Sequence, residues 1–531
     1  MTNNSENVIG RLIQERARTN KDRVFLLFED QKVTYEQLDL SSNQFAHGLK
    51  NLGIQKDDKV SIMMENCPDY LYVWFGAAKL GAVEVPINVA YKGDSLSHII
   101  NNSDSKVLFI DASLLERLSI IQDNLKNVKQ IFCRGHIDRT IANNLPVPVS
   151  LIDEFFKSPS TPLNVEVNSA DPAGIIYTSG TTGISKGAVL PHNVFIHTAR
   201  LMSRLRRMSS QDVLYTFFPL FHANAQVLSI ITALIADAQI VLKDRFSATN
   251  FWDEIRKYRA TQFNYLGAVM PILSKQAPRE DDADNPITIA IGAACPPDVM
   301  RHMEERFRFI CLEGFGMTET GMVMHWTVDD RKIGSCGKVL EDLFEAKLVD
   351  NDDVEVPIGS IGEIVVRPKV PFVMMSEYYK MPEKTLEAFR NLWFHTGDYA
   401  KKDEEGYFYF VDRKKDAIRR RGENISSFEV EKVINSHPKV LESAVFAVPA
   451  ELGEDEVKAN VVLKRGENLT PEELIHFCNE RMAYFAIPRY LEFVSGLPKT
   501  PTNRVEKYRL REAGITENTW DREKAGVKIA H

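Results

Sequence analysis

The chain lacks the features that mark several classes of protein. Its six cysteines form no CxxC pair, so neither a zinc site nor a disulfide framework is predicted, and we expect buried thiols in a reducing compartment. The longest strongly apolar stretch, VLSIITALIADAQIVL at 227–242, contains Asp237 and is short for a membrane span. We interpret it as a buried helix followed by a strand. The polar N-terminus has no signal-peptide core, so we expect a cytoplasmic protein.

An excess of basic residues is also missing. Lys and Arg number 65 against 73 Asp and Glu, a formal net charge of −8, which argues against a general nucleic-acid binder. ATP or coenzyme A needs only a local basic patch, so this balance excludes neither. With 531 residues, of which 44% are hydrophobic and 26% charged, the chain has the profile of a globular protein of two or more domains.

The first half of the chain alternates helical patterns with short apolar runs. Residues 35–54 have apolar side chains at helical spacing, and 59–65 follow as a strand. A helix over 69–80 and the runs AVEVPI, KVLFID, KQIFC, VLYTFFPLFH, AQIVLKD and ITIAIGAA continue the pattern. This alternation predicts an α/β fold with a mainly parallel sheet covered by helices.

The pattern changes after about residue 330. EAKLVD, GEIVVRP and GYFYFVDR are short strands between turn residues, which indicates a small antiparallel β unit over about 330–412. The segment DRKKDAIRRRGENISSFEVE places a basic run between a strand and a helix start. The rest is typical of a compact α+β domain. We therefore predict domains at 1–412 and 413–531.

The stretch YTSGTTGISKG at 177–187 has the composition of a polyphosphate loop. Gly180 and Gly183 permit unusual backbone angles, Ser185 and its neighbours add hydroxyl donors, and Lys186 adds a positive charge. It follows the apolar run AGIIY, so we expect it to leave a strand and precede a helix. It does not fit the Walker pattern. The alternative is a solvated linker, which rarely lies between two apolar segments.

Two further motifs are weaker when taken alone. In EGFGMTET, Phe315 is suited to stack on a purine, Thr318 to donate to a phosphate and Glu319 to ligate Mg²⁺. An ordinary turn before a helix is equally consistent with these residues. In WFHTGDYA, Asp398 is suited to accept both ribose hydroxyls, and a β-turn is the alternative.

Taken together, five ordered motifs resemble those of the adenylate-forming superfamily of acyl-CoA synthetases, luciferases and peptide-synthetase adenylation domains. They are YTSGTTGISKG, GAACP, FGMTE, HTGD and DRKKDAIRRRGENIS, and the resemblance covers about residues 30–510. FHANAQ at 221–226 and the close DRKKDAIRRRGEN spacing are most similar to the crotonobetaine/carnitine-CoA ligase group. The resemblance implies a large domain of helix-covered mixed sheets with a small β-barrel-like unit, followed by a smaller, mobile C-terminal domain.

The resemblance also implies an activity and a set of site residues. Such enzymes join a carboxylate to AMP from ATP, release pyrophosphate and pass the acyl group to a thiol such as that of coenzyme A. The implied cofactor-binding residues are Thr178, Ser179, Gly180, Thr181, Thr182, Lys186, Gly292, Ala293, Ala294, Glu313, Gly314, Phe315, Gly316, Met317, Thr318, Asp398, Arg413, Lys415, Arg421, Gly422 and Glu423. Thr178 and Glu319 are the implied Mg²⁺ residues.

The C-terminal domain is expected by resemblance to rotate between the two half-reactions, with Lys415 at the hinge. The triplet Arg419 to Arg421 is suited to attract the phosphates of coenzyme A, and a solvated face is the alternative. His222 matches a position that borders the acyl pocket in relatives. Asn224 and Gln226 beside it favour a short or polar carboxylate, carnitine-like or similar, over a long alkyl chain, and the alternative is that these two side chains point elsewhere.

One motif departs from the family pattern. Relatives usually have Pro-x-Thr-x-x-Gly-Lys near the C-terminus, and the lysine clamps the carboxylate and the α-phosphate. Here PKTPTNRVEK has Asn503 for the glycine and Arg504 for the lysine, a non-conservative change. Either Arg504 or Lys507 acts as the clamp, or adenylation is slow. The predicted catalytic residues are Thr178, Lys186, His222, Glu319, Arg504 and Lys507.

The leading hypothesis is an AMP-forming carboxylate–CoA ligase that uses ATP, Mg²⁺ and coenzyme A. Its alternatives are an adenylation enzyme that loads a carrier-protein thiol and a nucleotide-binding protein whose adenylation is impaired by Arg504. We expect small-molecule partners only, with no nucleic acid and no membrane span, and a homodimer is plausible by resemblance.

Overall fold

A computed structural model of the chain describes residues 7–178, 185–266, 269–293, 295–413, 417–420, 423–450, 455–498, 505 and 507–529. The described helices, in chain order, are α1 Ile9–Thr19, α2 Tyr35–Asn51, α3 Pro68–Leu80, α4 Gly93–Asn102, α5 Glu116–Ser119, α6 Arg139–Ala142, α7 His192–Leu205, α8 Thr232–Ile235, α9 Phe251–Tyr258, α10 Val269–Ser274, α11 Pro297–Phe307, α12 Pro382–Ala388, α13 Ser427–Asn435, α14 Pro471–Asn479 and α15 Lys507–Ala513. A π-helix spans Asn224–Ile231, directly before α8. Short 3₁₀ helices occur at Ala112–Leu114, Gln122–Asn124, Ile152–Lys157, Arg390–Leu392 and Tyr484–Ala486.

The described strands, in chain order, are β1 Val24–Phe28, β2 Gln31–Thr34, β3 Lys59–Met63, β4 Val83–Pro86, β5 Ser105–Asp111, β6 Gln130–Arg134, β7 Val149–Leu151, β8 Pro172–Thr178, β9 Lys186–Pro191, β10 Val213–Thr216, β11 Gln239–Leu242, β12 Gln262–Leu266, β13 Ile289–Ala293, β14 Ile310–Met317, β15 Gly321–His325, β16 Lys338–Val339, β17 Phe344–Val349, β18 Gly362–Pro368, β19 Phe394–Lys402, β20 Phe408–Arg413, β21 Ala417–Arg420, β22 Glu423–Ser426, β23 Val440–Pro449, β24 Asp455–Leu463, β25 Tyr490–Phe493 and β26 Trp520–Asp521.

The chain divides into two compact units. The larger comprises 1–89, 99–177 and 187–412, and the smaller comprises 90–98, 178–186 and 413–531. Two short segments of the first half of the chain therefore group with the C-terminal part.

The larger unit is built on two large sheets. A nine-stranded sheet has the order β16-β15-β14-β13-β12-β10-β11-β1-β2, and a seven-stranded sheet has the order β7-β6-β5-β3-β4-β8-β9. From β14 to β1 every neighbouring pair is parallel, and β2, β15 and β16 are antiparallel additions at the edges. The predicted helix-covered parallel sheet is confirmed. Parallel strands present their carboxyl ends at one edge, where open α/β sheets place their ligands.

Local sequence explains the helices that cover these sheets. Thr34 caps α2 by accepting a hydrogen bond from the backbone N–H of Gln37, whose side chain in turn accepts from the N–H of Thr34. The helix α3 begins at Pro68 and ends before Gly81, which has a positive φ of 73°. Both lie within two or three residues of their predicted bounds.

The small β unit is a four-stranded sheet in the order β17-β18-β19-β20. Its first three strands run antiparallel, as the alternating pattern after residue 330 predicts. In the smaller unit, β23 to β26 form a second four-stranded sheet, and α14 is capped by Thr470 and Glu473. The predicted α+β character of this part is confirmed.

Two local predictions need correction. The loop YTSGTTGISKG is followed by the strand β9 and not directly by a helix, so a helix N-terminus does not follow it. EGFGMTET forms the end of β14 and a turn into β15, because Gly321 with a φ of 65° reverses the chain into a hairpin. The basic run lies between β20 and α13, as predicted, and it also contains the two-stranded sheet β21–β22, whose short strands the charge pattern does not reveal.

Five of the six cysteines are buried and Cys336 is half-buried, and all six are free thiols. Within the described residues, no helix combines the length and the apolar character that crossing a membrane requires.

Candidate active site

The two ends of the phosphate-loop candidate are held side by side. Thr178 is the last residue of β8 and Lys186 the first of β9, and the Thr178 hydroxyl donates to the carbonyl oxygen of Lys186 over 3.5 Å. Ser185, only 2% exposed, donates from its hydroxyl to Glu429 Oε1 over 2.9 Å. The hydroxyl of Ser185 is therefore committed to a carboxylate and is a poor phosphate donor in this arrangement.

Residues 375–379 connect β9 to Glu319 through hydrogen bonds. The backbone N–H of Tyr379 donates to the carbonyl oxygen of Gly187 on β9 over 2.7 Å. One residue earlier, the Tyr378 hydroxyl donates to Glu319 Oε1 over 3.0 Å, and the N–H of Met375 donates to the Glu319 carbonyl oxygen over 2.8 Å. The predicted metal-binding carboxylate is thus buried and oriented beside the strand that follows the loop.

The backbones of β12, β13 and β14 pack closely where the nucleotide motifs lie. Gly292 pairs with Tyr265 on one side and Glu313 on the other. A methyl group added at Gly292 would lie 2.2 Å from the Tyr265 carbonyl oxygen, and one added at Gly314 would lie 2.5 Å from the Met324 carbonyl oxygen. Both positions therefore require glycine for packing.

Glu313 is a buried acid between these strands. It is 5% exposed, and its Oε1 accepts from the N–H of Cys295 over 2.7 Å and from the Tyr265 hydroxyl over 3.4 Å. Burial raises the pKa of Glu313 to about 7, and the two hydrogen bonds limit the rise. This carboxyl group fixes the loop after Gly292 to β14.

The remaining residues of the FGMTE motif differ in solvent exposure. Phe315 is buried, Gly316 is exposed, and Met317 and Thr318 are half-buried at the end of β14 and in the turn. Ala293 is half-buried at the end of β13. The aromatic ring proposed to stack on adenine is 8% exposed.

Asp398 lies within β19 and not in an isolated turn. It follows Gly397, whose φ is 73°, and its N–H donates to the Thr396 hydroxyl over 3.1 Å. Burial raises the pKa of the Cys336 thiol to about 11, and the charges of Glu313 and Asp398 both add to the rise. The charges of Asp398 and Glu313 therefore both act on the Cys336 thiol.

His222 lies just before the π-helix Asn224–Ile231. Its carbonyl oxygen accepts from the N–H of Gln226 over 3.2 Å. Gln226 is fully buried and donates to Glu84 Oε1 over 2.9 Å, while Asn224 is half-buried. Of Asn224 and Gln226, Gln226 therefore points into the protein interior, toward Glu84.

The C-terminal candidates have mixed outcomes. Arg420 is 2% exposed, pairs with Glu456 Oε2 over 2.7 Å and donates to the carbonyl oxygens of Phe485 and Ile487. It therefore holds the smaller unit together, and its suggested role at coenzyme A phosphates is wrong for this arrangement. Glu423 lies opposite Arg420 across β21 and β22.

Lys507 is the first residue of α15. It donates to the Ser427 hydroxyl over 2.8 Å and forms an ion pair with Glu431 over 2.7 Å. Arg413 ends β20. The remaining predicted site residues, Ser179, Gly180, Thr181, Thr182, Ala294, Lys415, Arg421, Gly422 and Arg504, lie outside the described residues.

A Mg²⁺ site in this protein would depend on Glu319. Among the described residues, no group of three or more His, Cys, Asp or Glu side chains is arranged to hold a metal ion. Mg²⁺ commonly binds one or two protein carboxylates and completes its shell with substrate phosphates and water. A buried carboxylate beside β9 fits that mode, with the nucleotide supplying the other ligands.

Sequence patterns do not reveal Tyr378 as a site residue. It is separated from Glu319 by 59 residues and belongs to none of the motifs, yet its hydroxyl orients that carboxylate. Only the register of residues 375–379 on β9 brings the two side chains together.

The family assignment agrees with this architecture. Residues 13–379 match the family described as AMP-binding enzyme, and residues 429–504 match the AMP-binding enzyme C-terminal domain. The chain therefore belongs to the AMP-binding enzyme family, and with it to the AMP-forming acid–thiol ligases.

Individual relatives support the same class. The chain is 33% identical over 504 residues to the crotonobetaine/carnitine–CoA ligase of Proteus mirabilis (strain HI4320), covering 92% of this chain and 95% of that protein. It is similar to a Mycobacterium tuberculosis fatty acyl CoA synthetase, with a TM-score of 0.69, 28% identity and coverage of 96% and 99%. It is also similar to the anthranilate CoA ligase AuaEII in complex with anthranoyl-AMP, with a TM-score of 0.72, 26% identity and coverage of 95% and 97%.

Proposed function

We propose that the protein is a carboxylate–CoA ligase that activates a short or polar carboxylic acid, carnitine-like or similar, with ATP and Mg²⁺ and transfers the acyl group to coenzyme A. The observation that carries the proposal is the link from β9 through Tyr378 to Glu319. It ties the strand that leaves the phosphate loop to the metal-binding carboxylate of the FGMTE motif.

The proposed chemistry has two balanced steps. First, a carboxylate oxygen attacks the α-phosphorus of ATP, and the bond to the β,γ-pyrophosphate breaks. Thr178 and Lys186, with the loop between them, hold this leaving group, while Thr318 donates to the α-phosphate. Second, the thiolate of coenzyme A attacks the acyl carbon, and the bond to AMP breaks.

Glu319, with Thr178, would hold Mg²⁺. When bound, the ion neutralises charge that develops on the phosphates. The Tyr378 hydroxyl occupies Oε1 of Glu319, so it orients the carboxylate toward such a role. Asp398 and Arg413 hold the ribose in this proposal, and the glycine-lined strands β13 and β14 accept the adenine beside Phe315.

Of the two candidates for the C-terminal clamp, we favour Arg504. Lys507 is engaged by Glu431 and Ser427, both at α13, so using it as a clamp requires breaking an ion pair. Arg504 retains the positive charge that the reacting carboxylate and α-phosphate need.

The test is pyrophosphate release with a carboxylate panel, by the wild type and by Arg504→Ala, Lys507→Ala and Arg504→Lys. We expect Arg504→Ala to lose roughly 100-fold or more in kcat/KM, as the loss of a charged transition-state contact implies. Arg504→Lys should retain more activity than Arg504→Ala. Equal release by Arg504→Ala and wild type would overturn the clamp assignment.

The acceptor is tested in the same assay. AMP formed with coenzyme A supports the proposal, and AMP formed only with a carrier protein supports the carrier-loading alternative. No AMP with any acid would favour a nucleotide-binding protein with impaired adenylation. We also propose a cytoplasmic homodimer, and light scattering on the purified protein checks the dimer.

A further inference from the structure

The side chain of Arg206 is buried, and among the described residues no carboxylate forms an ion pair with it. It directly follows α7, is 0% exposed, and donates from Nη2 to Asn264 Oδ1 over 2.6 Å. In the described part of the chain its Nε and Nη1 have no hydrogen-bond partner. Burial lowers the pKa of Arg206 to about 9 despite the charge of Asp212.

Asp212 does not neutralise this charge by contact. Its Oδ2 accepts from the N–H of Ser209 over 2.7 Å, and its Oδ1 accepts from the Thr261 hydroxyl over 2.7 Å. The one side chain bonded to the guanidinium, among the residues described, is the neutral amide of Asn264. An unpaired buried charge is strongly unfavourable, so this setting favours an anion bound beside the guanidinium.

A polar chain leads from Arg206 to the His222 segment. Asn264 Nδ2 donates to Ser229 Oγ over 3.0 Å, to the Leu228 carbonyl oxygen over 3.3 Å and to Asn224 Oδ1 over 3.2 Å. All three acceptors belong to the π-helix, and Asn224, its first residue, is half-buried. This series of hydrogen bonds therefore runs from the half-buried Asn224 through Asn264 to the buried guanidinium of Arg206. π-Helical turns are frequent at functional sites.

The register of the sheet places this charge beneath the nucleotide motifs. Asn264 pairs with Ile291, one residue before Gly292. Because side chains alternate between faces, Asn264 shares its face with Ala293, two residues further along β13 than Ile291. His325 lies on the same face, because Leu312 of β14 pairs with Ile291 and Gly314, two residues further along β14, pairs with His325. Asn264, to which Arg206 donates, therefore lies about 7 Å further from the strand ends than Ala293.

Neighbouring ionisable groups do not neutralise the positive charge. The Nδ1–H of His325 donates to the Trp326 carbonyl oxygen, and burial lowers the pKa of His325 to about 4 with a contribution from Arg206. His325 is therefore neutral at physiological pH. Among the described residues, the hydrogen-bonded series from Arg206 through Asn264 to Asn224 carries one positive charge and two uncharged amides, a setting that attracts a carboxylate and repels an ammonium group.

We propose that Arg206 binds a second carboxylate at the far end of the acyl substrate, so that the protein activates short dicarboxylic acids. This rests on the proposed ligase function and narrows its substrate: among short or polar acids it favours dicarboxylic acids over carnitine-like ones. Asn264 positions the guanidinium, and Asn224 lies at the entrance to it. A carnitine-like acid, whose far end carries a cation, would meet the unpaired charge of Arg206 and is disfavoured.

The experiment compares acids of similar length. Pyrophosphate release is measured with glutarate, its monomethyl ester and a trimethylammonium butanoate, for the wild type, Arg206→Met and Asn264→Asp. We expect the wild type to prefer glutarate to the ester by about 100-fold in kcat/KM. Arg206→Met should bring that ratio to near one. Asn264→Asp should lower it strongly, because an internal carboxylate then pairs with Arg206.

The Tm values of the same variants distinguish a substrate-binding role of Arg206 from a purely structural one. We expect the ligand-free Tm to be unchanged or raised in Arg206→Met and raised in Asn264→Asp, because both changes relieve the unpaired charge. A lower Tm in both variants, with the acid preference unchanged, would identify Arg206 as a structural residue and overturn the proposal.

Further outcomes are equally decisive. Wild-type preference for the ester or the cationic acid overturns the dicarboxylate assignment and leaves the ligase proposal intact. If no acid releases pyrophosphate, the ligase proposal fails. Calorimetric titration with glutarate then tests separately whether Arg206 forms an anion-binding site. Glutarate that binds the wild type and not Arg206→Met supports the anion site, and equal or absent binding by both proteins contradicts it.

Discussion

At the scale of single residues, this molecule buries ionisable groups where its motifs meet. Glu313 is enclosed between β12, β13 and β14, and Arg206 is enclosed below them. Neither has an opposite charge as a hydrogen-bond partner among the described residues. Such groups make stability depend on pH and leave charge available for a ligand, because burial disfavours the ionised form.

Glu313 gives a pH-dependent prediction. Its pKa rises from 4.5 to about 7 on folding, so between these values the folded protein binds more protons at this site than the unfolded chain does. The free energy of unfolding therefore falls as pH rises through this window, by about 3 kcal/mol in total. Glu313→Gln keeps an acceptor for the Cys295 N–H and removes the titration. We expect its Tm advantage over the wild type to grow by a few degrees from pH 5 to pH 8.

The matched control is Glu467→Gln, because Glu467 is exposed. Its Tm difference from the wild type should be the same at both pH values. If Glu313→Gln behaves in the same way as this control, the buried acid is not titrating across the window, and its hydrogen bonds hold the ionised form.

At the scale of elements, close strand packing shapes the part of the sheet that carries the predicted nucleotide-binding residues. Gly292→Ala places a methyl group 2.2 Å from the Tyr265 carbonyl oxygen, and a backbone oxygen cannot rotate away. We expect β12 and β13 to separate, the Tm to fall by several degrees and the KM for ATP to rise. Gly496→Ala is the control, since nothing lies within 4 Å of its added methyl group. Equal Tm values for the two variants would show that the sheet absorbs the methyl group without strain.

The elements also show how far sequence patterns predict this fold. Helix α2 and strands β3 to β6 follow from periodicity and from caps such as Thr34, because those signals lie within a few residues of each other. The basic triplet 419–421 predicted a contact with coenzyme A phosphates, but Arg420 instead pairs with Glu456, which lies on a different strand. The same is true of Tyr378 and Glu319, and of Arg206 and Asn264, which only tertiary register brings together.

The π-helix is a further feature that periodicity misses. The apolar run at 227–242 predicts a helix, and its first part is helical, but it has the wider π turn. The Thr232 hydroxyl donates to the Val227 carbonyl oxygen five residues earlier over 2.8 Å. Hydrogen bonds from Gln226 to Glu84 and from Asn264 to Ser229 anchor this helix on both sides, and these partners are distant in sequence.

At the scale of the whole molecule, the division into two units coincides with the segment that the family resemblance assigns to a hinge. The larger unit ends at 412, and Lys415 lies just beyond it in sequence. Two half-reactions that share one site need different groups around the phosphates, and we propose that rotation of the C-terminal part supplies them in turn.

Lys415→Pro tests this rotation. Proline fixes φ near −65°, so a hinge that changes its backbone angles can no longer adopt both of its conformations. We expect single-turnover pyrophosphate release and thioester formation from preformed acyl-adenylate to respond unequally, with one slowed at least tenfold relative to the other. Lys415→Ala, which removes the charge and leaves the backbone free, should slow neither step to that extent. If proline slows both half-reactions by the same factor, or neither of them, residue 415 is not the hinge between the two half-reactions.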